Sequence, residues 1–145
     1  MNEKISISPE GEEFKLPSPD DHKKEFQKFK RIAEDQRKEG KEIVVVMGVG
    51  FVGVVMAAVV ADSDSNKFVI GMQRPSTRSF WKIPVINRGL SPVKSEDPDV
   101  DIIIDRCVNE KKNLIATYVY DVLGLADVVV VDVQCDYSKE EIGNV

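Results

Sequence analysis

The chain has few of the residues that most often mark a catalytic or metal site. Its 145 residues include two cysteines and one histidine. Cys107 and Cys135 supply neither a disulfide framework nor a paired metal-ligand spacing, so we expect reduced thiols and no metal. The single histidine, His22, lies in a polar stretch, where a surface position is expected rather than a role as ligand or base.

The sequence also lacks a net positive charge and a secretory signal peptide. The net charge is −5 and the pI is about 5.0, which disfavours a general nucleic-acid binder because its surface should be basic. Residues 1–41 are polar and lack the apolar segment of a signal peptide. We therefore expect a cytoplasmic protein that binds neither nucleic acid nor a membrane.

One long uncharged run extends from Ile43 to Ala61. Its length is close to the ~20 residues of a membrane-spanning helix. Its valine-rich start favours a buried strand instead, and Gly48, Gly50 and Gly53 interrupt it with the spacing Gly-x-Gly-x-x-Gly. The run therefore predicts a strand, a glycine turn and a helix of a soluble protein.

This order predicts a phosphate-binding loop. A strand, a Gly-x-Gly-x-x-Gly turn and a helix open a dinucleotide-binding unit. The first glycine allows the tight turn, the second lets the backbone approach a pyrophosphate, and the third lets helix and strand pack closely. The phosphates would bind to free N–H groups at the positive end of the helix. The predicted cofactor contacts in this loop are Gly48, Val49, Gly50, Phe51, Val52 and Gly53.

The residues before the run divide into two segments. Residues 1–20 contain three prolines and few apolar residues, which predicts an extended or disordered leader. Asp20 or Asp21 could cap an amphipathic helix over residues 21–40. Its apolar stripe indicates a helix docked on the domain, and a helix that binds a partner or a membrane surface is the alternative.

Residues 41–145 are predicted to form the nucleotide-binding domain. Three further strands are expected at Lys67–Met72, Asn113–Thr117 and Asp127–Val133, and the last is valine-rich and predicted to be buried on both faces. Helices are expected at 99–111, where Cys107 would be buried, and at 120–125. The fold class is α/β: a partial Rossmann-type, doubly wound parallel sheet of strand order 3-2-1-4, with an N-terminal helical extension.

Ligands of open α/β sheets bind at the carboxyl ends of the strands. Three stretches would meet there: Gly48–Gly53, Gln73–Arg78 and Gln134–Tyr137. The intervening segment 73–98 has four prolines, and a long loop in a compact domain is functional or disordered. Its apolar residues indicate that it packs against the domain.

Several motifs together resemble a known family. They are Gly48-Val-Gly-Phe-Val-Gly53, Pro84-Val-Ile-Asn-Arg-Gly-Leu90, and Ala126-Asp127 followed by valines. In this order they resemble the NAD-binding N-terminal domain of the UDP-glucose/GDP-mannose dehydrogenases, over about residues 42–140. The resemblance implies oxidation of a sugar C6 alcohol to a carboxylate with NAD. In that family the catalytic cysteine and lysine lie in later domains, as do most of the nucleotide-sugar site and the dimer-forming helix, so this domain would be incomplete. Its unfinished sheet would leave an edge and an apolar face exposed, so the domain could associate into a homo-oligomer.

The sequence departs from the family at three places. Gln73 stands where the family has the acid that holds the adenosine ribose, while Arg78 matches the family's arginine. Losing the carboxylate and gaining Arg74 makes NADP an alternative to NAD. Val133, Gln134 and Cys135 would border the nicotinamide. Cys135, in place of a threonine, is interpreted as a pocket residue rather than a nucleophile.

The third departure is Asn87-Arg88, where the family tends to have Glu-Pro. It leaves open how the loop covers the substrate. Two other functions also stay open: a non-catalytic nucleotide-binding or scaffold protein built on a degenerate Rossmann domain, and a dehydrogenase or methyltransferase-like domain of another family that shares only the glycine loop.

Overall fold

The computed structural model describes residues 4–63 and 66–132. In chain order the elements are β1 (Ile5–Ile7), β2 (Glu13–Lys15), α1 (Pro19–Lys38), β3 (Glu42–Met47), α2 (Phe51–Asp62), β4 (Lys67–Met72), α3 (Lys82–Asn87), α4 (Pro98–Asp105), a π-helical turn (Arg106–Glu110), β5 (Leu114–Thr117), a 3₁₀ helix (Tyr120–Leu125) and β6 (Val128–Val131).

A four-stranded parallel sheet forms the centre of the molecule. Its strands lie in the order β5-β4-β3-β6. Among these four strands the third, second, first and fourth are neighbours, so the predicted α/β Rossmann-type fold is confirmed. The numbering along the whole chain differs because two strands of a separate hairpin come first.

The uncharged run is divided between β3, the glycine loop and α2. Four successive residues of β3, Ile43 to Val46, are buried. Because successive side chains of a strand point to opposite faces, both faces of β3 are covered. Helices α1 and α2 both pack on this strand. Within the described residues, no helix is long and apolar enough to cross a lipid bilayer.

The prediction that the fourth strand is buried on both faces is wrong for β6. Val128, Val129 and Val131 are 41%, 44% and 60% exposed. Among the described strands, β6 pairs only with β3. A run of valines indicates a strand that fits a buried position, but it does not show whether a neighbour is present to bury it.

The N-terminal segment also differs from the prediction of an extended or disordered leader. β1 and β2 form an antiparallel hairpin. The buried Ser6 hydroxyl oxygen accepts a hydrogen bond of 3.0 Å from the N–H of Trp81. The carboxylate of Glu12 accepts two hydrogen bonds, of 2.6 and 2.8 Å, from the Arg88 guanidinium. These partners lie more than 70 residues away in sequence. The hairpin therefore depends on distant residues, and the local sequence of its three-residue strands does not predict it.

Helix α1 begins earlier than predicted, because Ser18 caps it rather than Asp20 or Asp21. The Ser18 hydroxyl accepts from the N–H of Asp21, and the Asp21 carboxylate accepts from the N–H of Ser18. This reciprocal pair is a capping box, with Pro19 at the first helical position. Phe29 and Ala33 are buried in the main core, which supports a helix docked on the domain.

The segment from 73 to 98 packs on the domain, as predicted. It contains α3, whose Asn87 amide donates to the carbonyl of Ala116 at 3.0 Å and accepts from its N–H at 2.7 Å. Ala116 lies in β5, the outer strand of the sheet. Asn87 therefore satisfies backbone groups on an edge that would otherwise be open to pairing with another chain. Asn87 thus binds the backbone of β5 and Arg88 binds Glu12, so both residues of the Asn87-Arg88 pair have a structural role.

An ion cluster joins the end of α2 to the π-helical turn. The Asp62 carboxylate accepts from the Arg106 guanidinium at 2.7 and 2.9 Å and lies 2.9 Å from Lys111 Nζ. Hydrogen bonds from these two cations hold the pKa of Asp62 well below its usual range. The neighbouring Cys107 is buried, as predicted, and burial raises the pKa of its thiol.

We expect Asp62→Asn to destabilise the fold at neutral pH and less at about pH 3. The folded-state pKa is lowered, so the contribution is present above the unfolded pKa of about 3.9 and is lost as pH falls through the folded value. Urea unfolding should show a loss of about 1 kcal/mol at pH 7, shrinking at about pH 3. Glu34→Gln, on the exposed side of α1, is the control. An equal loss at both pH values would contradict the ion-pair interpretation.

Candidate functional site

The glycine loop is tightly packed at two positions. Gly48 has φ of +96°, a conformation that favours glycine, and a methyl group there would overlap the backbone oxygen of Asp132. A methyl group at Gly53 would overlap the backbone oxygen of Gly48. The first and third glycines of the motif therefore have the steric roles that the sequence predicts for the turn and for close packing.

The loop leads directly into the N-terminus of α2. Gly50 is the N-cap residue, it offers no side-chain cap, and the first turn has no acidic residue. The N–H of Val54 donates to the carbonyl of Gly50 at 3.1 Å, which is the first bond of the helix. The N–H groups of Phe51, Val52 and Gly53 have no acceptor within the helix. Together with the helix dipole, they favour an anion at this end.

Gln73 is brought against this loop, as predicted from the sheet topology. Its side-chain oxygen Oε1 accepts a hydrogen bond of 3.1 Å from the N–H of Val49. The Val49 side chain is buried, and a Cβ at Gly71 in β4 would lie 2.8 Å from it. The loop is thus held to β4 through a side-chain hydrogen bond and through close packing over a glycine.

A cleft of about 790 Å³ opens at the carboxyl ends of β3 and β4. It is lined by Met47, Gly48, Gly50, Phe51, Val52, Met72, Gln73, Arg74, Ser76, Arg78, Ser79, Lys82, Tyr120 and Asp132. Six predicted contacts are among them: Gly48, Gly50, Phe51, Val52, Gln73 and Arg78. Val49 and Gly53 lie behind the lining, where they support the loop. Val133, Gln134 and Cys135 lie outside the described residues.

The lining carries three cations and one carboxylate. Arg74, Arg78 and Lys82 follow Gln73 along one segment, whereas Asp132 follows β6. Partial burial, and to a smaller extent the charge of Arg78, lower the pKa of the Lys82 ammonium. Positive charge is therefore concentrated on the side of the cleft formed by residues 74–82.

Sequence reasoning did not assign Ser76, Ser79, Lys82, Tyr120 or Asp132 to the site. Lys82 follows Arg78 by four residues and is one of several basic residues in the segment 73–98. Its place in the cleft depends on the turn at 76–82, in which the N–H groups of Ser79 and Phe80 donate to the carbonyl of Ser76. Within the described residues, no group of three His, Cys, Asp or Glu side chains could hold a metal ion.

These features fit the phosphates of a dinucleotide. The first turn of α2 contains no acidic residue of its own, and its free backbone N–H groups and the cations of residues 74–82 are donors for an anion. The Asp132 carboxylate is the one acidic group of the described lining. The overlap that a side chain at Gly48 or Gly53 would cause shows that the loop depends on missing Cβ atoms.

We expect Gly53→Ala to destabilise the fold by about 1–3 kcal/mol, because the methyl group must displace backbone. Gly124→Ala is the control, since nothing lies within 4 Å of its added Cβ. Urea unfolding of both variants measures the difference. Equal stability of the two variants would show that the loop relaxes without cost.

The chain was compared with known proteins by sequence and by structure. No family model matches the chain, and no curated protein matches it by sequence. Among solved structures, an NDP-N-acetyl-D-galactosaminuronic acid dehydrogenase from Methanosarcina mazei Go1 is similar, with a TM-score of 0.63 and 30% identity over 73% of this chain and 22% of that chain.

A second similar structure is a ternary complex of GDP-mannose dehydrogenase from Pseudomonas aeruginosa. Its TM-score is 0.54, with 25% identity over 67% of this chain and 20% of that chain. The chain thus spans about one fifth of the length of the two enzymes. Its fold and glycine loop therefore make it a structural relative of the nucleotide-sugar dehydrogenases, as its sequence motifs indicate.

Proposed function

We propose that this chain is the cofactor-binding part of a nucleotide-sugar dehydrogenase and that its own task is to bind a nicotinamide adenine dinucleotide. The main supporting observation is the N-terminus of α2, which has no side-chain cap from Gly50 and lines the cleft at the carboxyl ends of β3 and β4. The similarity to two dehydrogenases of nucleotide sugars supports the same function.

Different parts of the cleft would bind different parts of the cofactor. The N–H groups at the start of α2 would hold the pyrophosphate, and Gln73 and Arg78 would contact the adenosine side. Val133, Gln134 and Cys135 would border the nicotinamide. NAD is the form that the family resemblance implies, and the glutamine at position 73 leaves NADP open. The bound cofactor would accept the hydride, while the protein supplies position and environment.

The described residues do not supply a nucleophile for the oxidation. Cys107 is the cysteine among them, and its thiol is buried against the carbonyl of Ala58, with a raised pKa. A reactive thiol needs the opposite, a lowered pKa and access. Because the chain spans about one fifth of the length of the two similar enzymes, we propose that oxidation of the sugar C6 alcohol, binding of the nucleotide sugar and any homo-oligomeric assembly depend on parts of an enzyme that this chain does not span.

We expect the chain to bind a nicotinamide dinucleotide or ADP-ribose with a Kd below about 1 mM, and Gly50→Val to weaken that binding at least about tenfold, or about 1.4 kcal/mol. Gly50 has an extended backbone conformation that valine also adopts, so the variant should fold while placing a side chain in the cleft. Isothermal titration calorimetry measures both constants.

Gly124→Val is the matched control, because Gly124 lies outside the cleft lining and has open space around it. It should bind like the wild type. Absence of binding by the wild type below about millimolar would remove the proposed function. Equal binding by the wild type and Gly50→Val would show that the ligand binds elsewhere than at the glycine loop.

A further inference from the structure

The hydrogen bond between Gln73 and Val49 determines what the glutamine offers to a ligand. A backbone N–H needs an acceptor, so the amide oxygen must face Val49. The remaining end of the side chain is the NH₂ group, and no acceptor among the described residues is recorded for it. A carboxylate at this position would instead leave an oxygen to accept from the two ribose hydroxyls.

The only carboxylate in the described lining lies elsewhere. Asp132 Oδ2 is 3.2 Å from the place that a Cβ of Gly53 would occupy, so it lies beside the first turn of α2. The side of the cleft next to Gln73 therefore carries donors and cations. Such a surface recognises an anion better than a neutral diol.

The cationic segment is held in shape by its own hydrogen bonds. The Ser79 hydroxyl donates to the carbonyl of Arg74 at 2.7 Å and lies 2.6 Å from the Ser76 hydroxyl. The indole N–H of Trp81 donates to the carbonyl of Arg78 at 2.9 Å. Backbone positions of both arginines are thus fixed before any ligand binds, which lowers the entropic cost of binding.

Among the described residues, the three cations of this segment have no partner of opposite charge. The ion pairs recorded between described residues do not include Arg74, Arg78 or Lys82. Lys82 is partly buried and near Arg78, which disfavours its charged form. An added phosphate monoester, with a charge of about −1.5 to −2 at neutral pH, would relieve this repulsion.

We propose that Arg74, Arg78, Lys82 and the amide NH₂ of Gln73 form a subsite for the 2′-phosphate of NADP, so that the chain binds NADP more tightly than NAD. This inference rests on the proposed dinucleotide-binding function. It assigns a cofactor preference that differs from the NAD implied by the family resemblance.

Calorimetric titration of the full chain with NADP, NAD, 2′,5′-ADP and 5′-ADP tests the preference. We expect each ligand with a 2′-phosphate to bind at least about tenfold more tightly than its counterpart, with the difference shrinking as salt rises. Equal or tighter binding of NAD would overturn the inference and leave the proposed function intact. Failure of all four ligands to bind would remove both.

Substitution of the cations locates the subsite. We expect the double variant Arg74→Gln/Arg78→Gln to lose affinity for both cofactors, because Arg78 would also contact the adenosine side, and its ratio of NADP to NAD affinity to fall at least about tenfold. The double variant Arg31→Gln/Lys38→Gln, at exposed residues of α1 outside the cleft lining, controls for the loss of two positive charges. Parallel losses for both cofactors would show that the arginines contact the shared pyrophosphate, which would overturn the inference.

Substitution of the glutamine gives an independent readout. Gln73→Glu keeps an oxygen that can accept from the N–H of Val49, so the loop should stay intact, and it places a negative charge beside the cations. We expect its ratio of NADP to NAD affinity to fall at least about tenfold, with thermal unfolding used to confirm that the variant is folded. An unchanged ratio would overturn the role of Gln73.

Discussion

The close approach of Gly53 to the carbonyl oxygen of Gly48 is the contact on which the site depends. Because no Cβ separates them, α2 can start immediately beyond the carboxyl end of β3. Gly50, Phe51 and Val52 then line the cleft, and the N–H groups of the first turn have no acceptor within the helix. The same turn lies against the backbone of Asp132, which follows β6, so three parallel strands converge on one loop.

Elements were predictable where local pattern and final environment agree. β4 has the bounds predicted for the second strand, Lys67–Met72, because an apolar run between turn residues is buried on both faces in the sheet. The hairpin of β1 and β2 was missed, since it depends on Trp81 and Arg88 far along the chain. The exposure of β6 was missed for a related reason: residue preference describes a strand but not its neighbours.

In the site, too, some residues could be predicted from the sequence pattern, whereas others are placed by tertiary contacts. The glycine spacing and the order of strands placed the loop and Gln73 together, because carboxyl ends of neighbouring parallel strands meet at one edge. Lys82 and Asp132 could not be placed in this way. Lys82 reaches the cleft through a hydrogen-bonded turn, and Asp132 through its contact with the glycine loop, which lies far earlier in the chain.

Gln73 has a structural and a chemical role that can be separated. For the loop, the side chain must supply an oxygen to the N–H of Val49, and glutamine and glutamate both have one. For the ligand, the other end matters: glutamate would present a second acceptor, whereas glutamine presents a donor. An amide can therefore replace the acid without disturbing the glycine loop, while it reverses the hydrogen-bonding character of the surface beside Arg74 and Arg78. The same fold can therefore carry either residue at position 73.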